Sequence, residues 1–350
     1  MENFELIQKI EEQEKQINAM SLWQQDVNKL LSRILQMIGD QNSKLQENEE
    51  GNVLLQYQFL ELQGIVNSLP FELADPDLKL PFVKPHILSE KETLQKLIQE
   101  GKSISRFGDC EFEMIAGRQR WGYQAADPLL SKRLREVITS NEDGLLVGIN
   151  PAFYESQLFK TGDGAMGIRA YMTPEIRREH QELLSPDKIY ANALVFRNIG
   201  SDEGFQELKK LWNERECLFV EGWNTGLGVG NDLFDNAKSI ERIICPAENG
   251  FTRYEEILEK ARTHGKDKLI ISVLGPTASV LAYDLSKEGY QVIDLGQVDL
   301  VYEAYIRKLG SMDDLLLPNK YCTSDVIGEK REIHDIDDTE YLSQIVERIA

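Results

Sequence analysis

From Ile87 onward the chain alternates short apolar runs with amphipathic segments of helical period, and this alternation constrains the fold most strongly. The apolar runs predict strands at Ile104–Phe107, Leu145–Ile149, Ile189–Val195, Cys217–Glu221, Ile243–Cys245, Leu269–Leu274 and Gln291–Leu295. The amphipathic segments predict helices at Ser89–Gln99, Pro128–Thr139, Pro174–Leu184, Asp202–Trp212, Arg253–Thr263, Thr277–Glu288 and Leu300–Leu309. Strands rich in Val, Ile and Leu that alternate with helices predict an α/β fold with a mostly parallel sheet covered on both faces.

The first seventy residues show a different pattern, in which apolar residues recur at alternating spacings of four and three. This spacing keeps one seam of a helix facing a partner helix. It predicts an α-helical coiled coil over residues 1–69 that assembles the chain into a homo-oligomer through residues 6–69. An antiparallel helical hairpin that turns near Gly39–Ser43 or at Gly51 is the alternative.

Prolines and charge mark the remaining boundaries of the chain. Four prolines between Pro70 and Pro85 predict a linker over residues 70–86, because proline removes amide donors and disfavours helix before it. The α/β domain then covers residues 87–325. An acidic run and a short helix near Tyr341–Ile349 predict a peripheral C-terminal tail over residues 326–350.

The formal net charge of −20 argues against broad binding of nucleic acid, because it repels phosphate backbones. No apolar run reaches the ~18 residues that would cross a bilayer, and the N-terminus lacks the pattern of a signal peptide. We therefore expect a cytoplasmic protein without a transmembrane segment. The four cysteines show no C-x-x-C spacing, so neither a disulfide framework nor a zinc ribbon is expected.

Two carboxylates, Asp109 and Glu111, follow the first predicted strand of the domain. In an extended segment residues i and i+2 project to the same side, so both could contact one cation. Hard oxygen ligands without a nearby histidine favour Mg²⁺ or Mn²⁺. A solvated loop, or the N-cap of the next helix, is the alternative for this pair.

Several residues at strand ends could bind a diphosphate. Gly275, Pro276 and Thr277 follow a strand and open a helix, whose free amides and dipole favour an anion. Arg106 and Arg197 also lie at strand ends, where guanidinium groups could clamp phosphates. A plain strand-to-helix turn and ordinary surface charges are the alternatives.

A glycine-rich loop runs from Gly226 to Asp232, but glycine spacing alone is a weak signal, so a nicotinamide site is not expected. The segments considered together resemble a family, bacterial glycosyltransferases of the GT-D type, first catalogued as a domain of unknown function. The resemblance covers roughly residues 87–325. The stretches that carry it are Arg106-Phe107-Gly108-Asp109-x-Glu111, Gly228 through Ile240, Cys245-Pro246-Ala247 and Gly275 through Ala278 with Leu281 through Leu285.

The resemblance implies a Rossmann-like sheet that binds a nucleotide sugar, typically a UDP-sugar, together with Mn²⁺ or Mg²⁺. It implies that Asp109 and Glu111 hold the metal. Residues expected to contact the nucleotide sugar are Arg106, Arg197, Gly228, Asn231, Asp232, Gly275, Pro276 and Thr277. The sugar would pass to a glycan or glycoprotein acceptor, as in the glycosylation of bacterial surface adhesins.

Three positions depart from the family pattern: Cys110 stands where Gly is usual, Gly226 where Arg is common, and Gln297 where His is common. Because glutamine does not titrate near neutral pH, Asp127 and Asp299 are alternative catalytic bases, although either could instead cap a helix. Two other functions remain open. One is a nucleotide-sugar-binding scaffold that has lost catalysis and acts through the coiled coil, and the other is a metal-dependent phosphohydrolase of nucleotide diphosphates.

Overall fold

The computed structural model describes residues 85–118, 124–154, 171–172, 174–309, 315, 317, 319–320 and 333–349. The predicted coiled coil over 1–69 and the predicted linker up to residue 84 lie outside the described residues. Nearly everything described belongs to one compact unit, residues 79–163 and 175–350. Of the second unit, residues 1–78 and 164–174, the structure describes only residues 171, 172 and 174.

The described part of the chain is built on one nine-stranded sheet. Its strands are β1 (His86–Ile87), β2 (Ser103–Phe107), β3 (Leu145–Ile149), β4 (Ile189–Asn192), β5 (Glu216–Gly222), β6 (Ser239–Cys245), β7 (Leu269–Val273), β8 (Gln291–Asp294) and β9 (Ile345–Arg348). Their order is β1-β4-β3-β2-β8-β7-β5-β6-β9, and every pairing is parallel. In the middle of the sheet, Ile104 of β2 is in register with Ile293 of β8. The structure confirms the predicted parallel sheet and each predicted strand.

Helices connect the strands. They are α1 (Glu90–Gln99), α2 (Asp109–Ile115), α3 (Pro128–Thr139), α4 (Pro174–Leu183), α5 (Asp202–Lys209), α6 (Tyr254–Arg262), α7 (Pro276–Lys287), α8 (Val298–Ile306) and α9 (Thr339–Gln344). Local sequence sets their starts: Ser89 and Glu92 form a capping box at α1, and Ser201 caps α5. None of the helices in the described part is long and apolar enough to cross a membrane.

Successive side chains of β2 point to opposite faces of the sheet, and helices cover both faces. Ile104 belongs to a core cluster with Leu97 of α1 and Val298 of α8. The next residue, Ser105, faces the other side, where its hydroxyl donates to the Ser279 carbonyl of α7 at 2.7 Å. Buried strands with helices on two faces account for the near-continuous apolar runs in the sequence.

The C-terminal segment differs from the predicted peripheral tail. Only Thr339–Gln344 is helical, and Ile345–Arg348 forms β9, which pairs with β6. Tyr341 and Ile345 pack in a small apolar cluster against the sheet. Over only four residues, periodicity cannot separate a strand from the end of a helix, which is why the sequence suggested one helix there.

A buried ion pair attaches this segment to the sheet. Arg242 of β6 donates to Glu221 of β5 at 2.6 Å and to Gln344 of α9 at 2.7 Å. Its guanidinium carbon lies 4.9 Å from the ring centroids of both Phe219 and Tyr341. One arginine therefore links the last elements of the fold to the core.

Candidate functional site

The carboxyl ends of β2, β8, β7, β5 and β6 meet at one edge of the sheet. The chain leaves β7 toward β8 but leaves β5 toward β6, in the opposite direction, and such a divergence opens a crevice beyond the strand ends. A cleft occupies this place. Its lining includes Gly222, Thr225, Ala247, Gly275, Gln297 and Asp299.

The lining of the cleft is mostly glycine and apolar side chains, with Thr225, Gln297 and Asp299 as its polar side chains among the described residues. The same lining contains neither lysine nor arginine. A cleft with apolar walls and a few polar groups is typical of small-molecule sites. The described lining residues thus provide no positive side chain for a phosphate.

The predicted metal pair lies beside this edge, in a conformation that the sequence did not predict. Asp109 and Glu111 are the first and third residues of α2, so the segment is helical rather than extended. On a helix, residues two apart are separated by about 200° around the axis, so the argument that both point the same way was wrong. Glu111 Oε2 accepts a hydrogen bond from the Gly108 N–H at 2.8 Å and so closes the first turn. Cation binding by the pair stays a prediction.

Glu111 has an unusual acidity. Burial raises its pKa to about 7, and the nearby charges of Asp294 and Asp109 act in the same direction, although the Gly108 N–H opposes them. Within the described chain, no group of three or more His, Cys, Asp or Glu side chains is arranged to hold a metal ion. The described residues thus offer a pair of carboxylates and not a complete set of metal ligands.

Asp294, at the end of β8, is a site residue that the sequence analysis missed. It is 5% exposed, and its Oδ2 accepts hydrogen bonds from the Arg106 N–H at 3.0 Å and the Ser279 hydroxyl at 2.9 Å. Burial raises its pKa, while Arg106 lowers it. Its position as the last residue of a strand was the available signal, because strand ends meet at this edge.

Arg106 binds protein groups at the same edge. Its Nε donates to the Asp294 carbonyl at 2.6 Å, and Nη1 donates to the Ala193 carbonyl at 3.1 Å. The guanidinium therefore connects β2, β8 and the turn after β4, and a contact with a diphosphate remains a prediction. Arg197 lies in that turn and is exposed.

The glycine-rich loop between β5 and β6 is tied to neighbouring helices. Asn231 Nδ2 donates to Glu303 of α8 at 2.9 Å. Asp232 accepts from Tyr302 of α8 at 2.6 Å and from Lys209 of α5 at 2.9 Å. In the described structure these side chains position α8, and the lining of the cleft does not include Gly228, Asn231 or Asp232.

The strand-to-helix turn after β7 has the predicted form. Gly275 has φ +54°, which favours glycine, and Pro276 opens α7. Thr277 is fully buried, and its Oγ1 lies 3.5 Å from Gln124 Oε1. The same Gln124 oxygen accepts a hydrogen bond from the Phe251 N–H at 3.1 Å. The N-terminus of α7 thus borders the cleft through Gly275.

The two candidate bases lie in different environments. Asp127 Oδ1 accepts from the N–H groups of Leu129 and Leu130 at 2.7 and 2.9 Å, which is the geometry of a helix cap. Asp299, the second residue of α8, is buried at the wall of the cleft. Its Oδ2 accepts from Lys320 Nζ at 2.8 Å, a pairing that no sequence signal indicated.

The structure describes the surroundings of all three positions that depart from the family pattern. Gly226 has φ +54°, and a Cβ at this position would lie 2.5 Å from the Cδ1 atom of Ile336. The C-terminal segment therefore occupies the space that a side chain at 226 would need. Gln297 lines the cleft directly before α8, and Cys110 is a partly buried residue of α2.

Comparison with known proteins agrees with this architecture. A family described as "Glycosyltransferase GT-D fold" matches residues 104–324. The chain is 35% identical over 272 residues to "Probable glycosyl transferase Gly" of Streptococcus gordonii, covering 75% of this chain and 39% of the relative. It is 37% identical over 267 residues to "Glycosyltransferase GlyD" of Streptococcus pneumoniae, covering 74% and 32%. The chain thus spans about a third to two fifths of the length of these curated relatives.

Two solved structures are similar over their whole length. One is described as "A New Glycosyltransferase (DUF1792) from Streptococcus sanguinis", with a TM-score of 0.68 and 34% identity over 76% of this chain and 100% of that chain. The other is described as "The highly conserved domain of unknown function 1792 has a distinct glycosyltransferase fold", with a TM-score of 0.70 and 32% identity over 77% and 97%.

Proposed function

The chain belongs to the family of glycosyltransferases with the GT-D fold, and from that premise we propose that it transfers a sugar from a UDP-sugar to a glycan or glycoprotein acceptor with the help of Mn²⁺ or Mg²⁺. One observation carries the proposal. The carboxylates of Asp109 and Glu111 stand at the same sheet edge as a cleft that has no positive side chain in its described lining.

The side chains at the edge fit a divalent cation. Glu111 is held beside Asp109 and Asp294, and this concentration of negative charge in a buried place helps raise its pKa to about 7. A cation would relieve that repulsion, and carboxylate oxygens suit Mg²⁺ or Mn²⁺. Two protein ligands leave room for water and phosphate oxygens, which is how Mg²⁺ is usually held with nucleotides.

The nearby positive side chains support the need for such a cation. Arg106 is bonded to Asp294, and Lys320 is paired with Asp299. Neither contributes net positive charge to a diphosphate. A divalent cation held by Asp109 and Glu111 would supply positive charge to stabilise the departing diphosphate.

The chain's own backbone contributes a second stabilising element. α7 is twelve residues long and begins at the cleft, with Gly275 as its N-cap. The N-terminus of a helix carries partial positive charge and outward amide groups, which favours an anion such as a phosphate. The role of this turn is to orient the donor, because Gly275 allows the backbone to approach the ligand closely.

Turnover of UDP-sugars with Mn²⁺ tests the proposal. We expect Asp109→Ala and Glu111→Ala to reduce transfer at least ~100-fold, the scale seen when a charge-stabilising group is removed. Glu113→Ala is the matched control, because Glu113 lies on the same helix but binds Arg118 instead. Equal turnover in wild type and both acidic-pair variants would refute the assignment.

The products distinguish the alternative functions. Phosphate release without sugar transfer would favour a phosphohydrolase. Metal-dependent UDP binding without turnover of any donor would favour a scaffold that has lost catalysis.

A further inference from the structure

Asp299 is the one charged side chain among the described residues that line the cleft. It is 1% exposed, and its partner Lys320 is 3% exposed. Asp299 Oδ2 accepts from Lys320 Nζ at 2.8 Å and from the Gly228 N–H at 3.4 Å. Both described hydrogen bonds of this carboxylate therefore end on one oxygen.

The other oxygen, Oδ1, receives no hydrogen bond from any residue that the structure describes. Oδ1 is not one of the fully buried unpaired atoms of the described residues, so it keeps accessible surface at the wall of the cleft, where a ligand can donate a hydrogen bond to it. The hydrogen bond from Lys320 Nζ fixes the carboxylate in place through Oδ2 and leaves Oδ1 as an acceptor at the wall of the cleft.

The chemistry of Oδ1 favours contact with the nucleoside part of a nucleotide over contact with its phosphates. It repels phosphate oxygens and attracts a hydroxyl group. The surrounding wall, which includes Val273, Leu274 and Leu300, suits a sugar or base ring and not a charged group. Carboxylates that accept from ribose hydroxyls recur in α/β nucleotide-binding folds.

We propose that Asp299, oriented by Lys320, accepts a hydrogen bond from a ribose hydroxyl of the nucleoside diphosphate. The nucleoside then occupies the cleft at β7 and β5, and the diphosphate extends toward Asp109 and Glu111. This inference rests on the proposed function and gives the donor one orientation. Asp299 is a substrate-binding residue in this arrangement and Lys320 is a positioning residue.

Calorimetric titration of the full chain with Mn²⁺ tests the contact, with UDP, 2′-deoxy-UDP and 3′-deoxy-UDP as ligands. We expect wild type to bind one deoxy analogue about 10- to 100-fold more weakly than UDP, the usual effect of losing a hydrogen bond to a charged group. Asp299→Asn should bind UDP more weakly by a similar factor and should no longer distinguish that analogue. Asp284→Asn is the control, because Asp284 of α7 is also mostly buried and is paired with Arg133 of α3. This variant should bind UDP and both deoxy analogues as wild type does.

The pair of charges requires a second comparison, because Asp299→Asn removes the carboxylate that faces the buried Lys320 ammonium. The double variant Asp299→Asn/Lys320→Gln removes both charges and should also fail to distinguish the analogue. Lys320→Gln alone should weaken UDP binding in the wild-type background but change it little in the Asp299→Asn background. A merely structural role for Lys320 would give additive effects instead.

Each other result counts against a stated claim. If Asp299→Asn and the double variant still distinguish the analogue as wild type does, the ribose contact is wrong while the proposed function stands. If Asp299→Asn loses turnover with unchanged affinity and discrimination, the residue acts as a base and the ribose contact is again wrong. If wild type binds no UDP in the presence of Mn²⁺, the proposed function fails, and this inference fails with it.

Discussion

Arg106 lies so close to Gly296 that a Cβ atom at residue 296 would collide with the Arg106 guanidinium. Gly296 has φ +63° and follows β8 by two residues. Its missing side chain leaves the space through which Arg106 reaches the Asp294 carbonyl. The two residues together hold the ends of β2 and β8 beside the cleft.

Replacement of this glycine should therefore do more than strain the backbone. We expect Gly296→Ala to destabilise the fold by roughly 2–4 kcal/mol, of which ~1–2 kcal/mol is the positive φ and the rest displacement of Arg106. Gly265→Ala is the control, because Gly265 has φ +86° but no atom within 4 Å of its Cβ position. Urea unfolding measures both. Equal losses in the two variants would show that the contact with Arg106 contributes nothing.

The raised pKa of Glu111 predicts a pH dependence of stability. Its pKa rises from 4.5 to about 7 on folding, so the unfolded chain releases this proton first as the pH increases. The contribution of Glu111 to stability is therefore fully present below pH 4.5 and is lost between pH 4.5 and 7. Glu111→Gln should remove a loss of roughly 1–3 kcal/mol over that interval in the metal-free protein.

Urea unfolding at pH 4.5 and 8, without divalent ions, compares wild type with Glu111→Gln. The amide oxygen of Gln can still accept from the Gly108 N–H, so the helix start is kept. A pH profile identical in the two proteins would contradict the raised pKa. Addition of Mn²⁺ should stabilise wild type more at pH 8 than at pH 6, because the cation binds the ionised carboxylate.

The buried imidazole of His180 predicts a pH dependence of opposite sign, in which stability is lost as the pH falls. It lies on α4, its Nδ1 is 2.8 Å from the Tyr154 hydroxyl, and its ring stacks on Phe112 at 3.7 Å. Burial, together with the charges of Arg177 and Arg118, lowers its pKa from 6.5 to about 3. Because the unfolded chain binds this proton more readily, stability is lost as the pH falls from 6.5 toward 3.

His180→Gln should reduce this loss of stability in acid, measured as the difference between the urea midpoints at pH 4 and pH 7. Tyr154→Phe removes the hydrogen bond but keeps the imidazole, so it should lower stability at both values and retain the acid sensitivity. If His180→Gln loses as much stability between pH 7 and pH 4 as wild type, groups other than His180 cause the acid sensitivity.

The ion pair between Arg242 and Glu221 predicts a large effect of a single substitution. Both side chains are nearly fully buried, and Arg242→Ala would leave the Glu221 carboxylate buried without its cation. We expect a loss of about 3–5 kcal/mol. Arg262→Ala removes an exposed pair with Glu288 and should cost less than ~1 kcal/mol. Guanidinium chloride unfolding of both variants gives the comparison, and similar losses would contradict the role of burial.

The sequence was sufficient for the strands of the central sheet because each is a short apolar run buried on both faces. It was not sufficient for two short elements. α2 follows β2 directly, and seven residues at a strand end carry no clear periodicity. β9 has only four residues, too few for its alternation of half-buried and exposed positions to be told from the end of a helix in the sequence.

The sequence predicted the position of those site residues that directly follow a strand along the chain. Asp109, Glu111 and Gly275 each follow a strand, so their edge of the sheet could be inferred. The contacts of Asp299 with Lys320 and of Arg106 with Asp294 join residues 21 and 188 positions apart. Such pairings arise from tertiary packing, and a single sequence contains no spacing that indicates them.

The register of Ile104 with Ile293 has a consequence for how the protein is made. The strand that precedes the acidic pair and the strand that carries Asp294 cannot join until nearly two hundred further residues have been synthesised. Pairings between such distant segments fold slowly, because closing a long loop loses entropy before contacts repay it. On the ribosome, the half of the sheet that starts at β2 must wait with an unpaired central edge, so chaperone binding during synthesis should concentrate there.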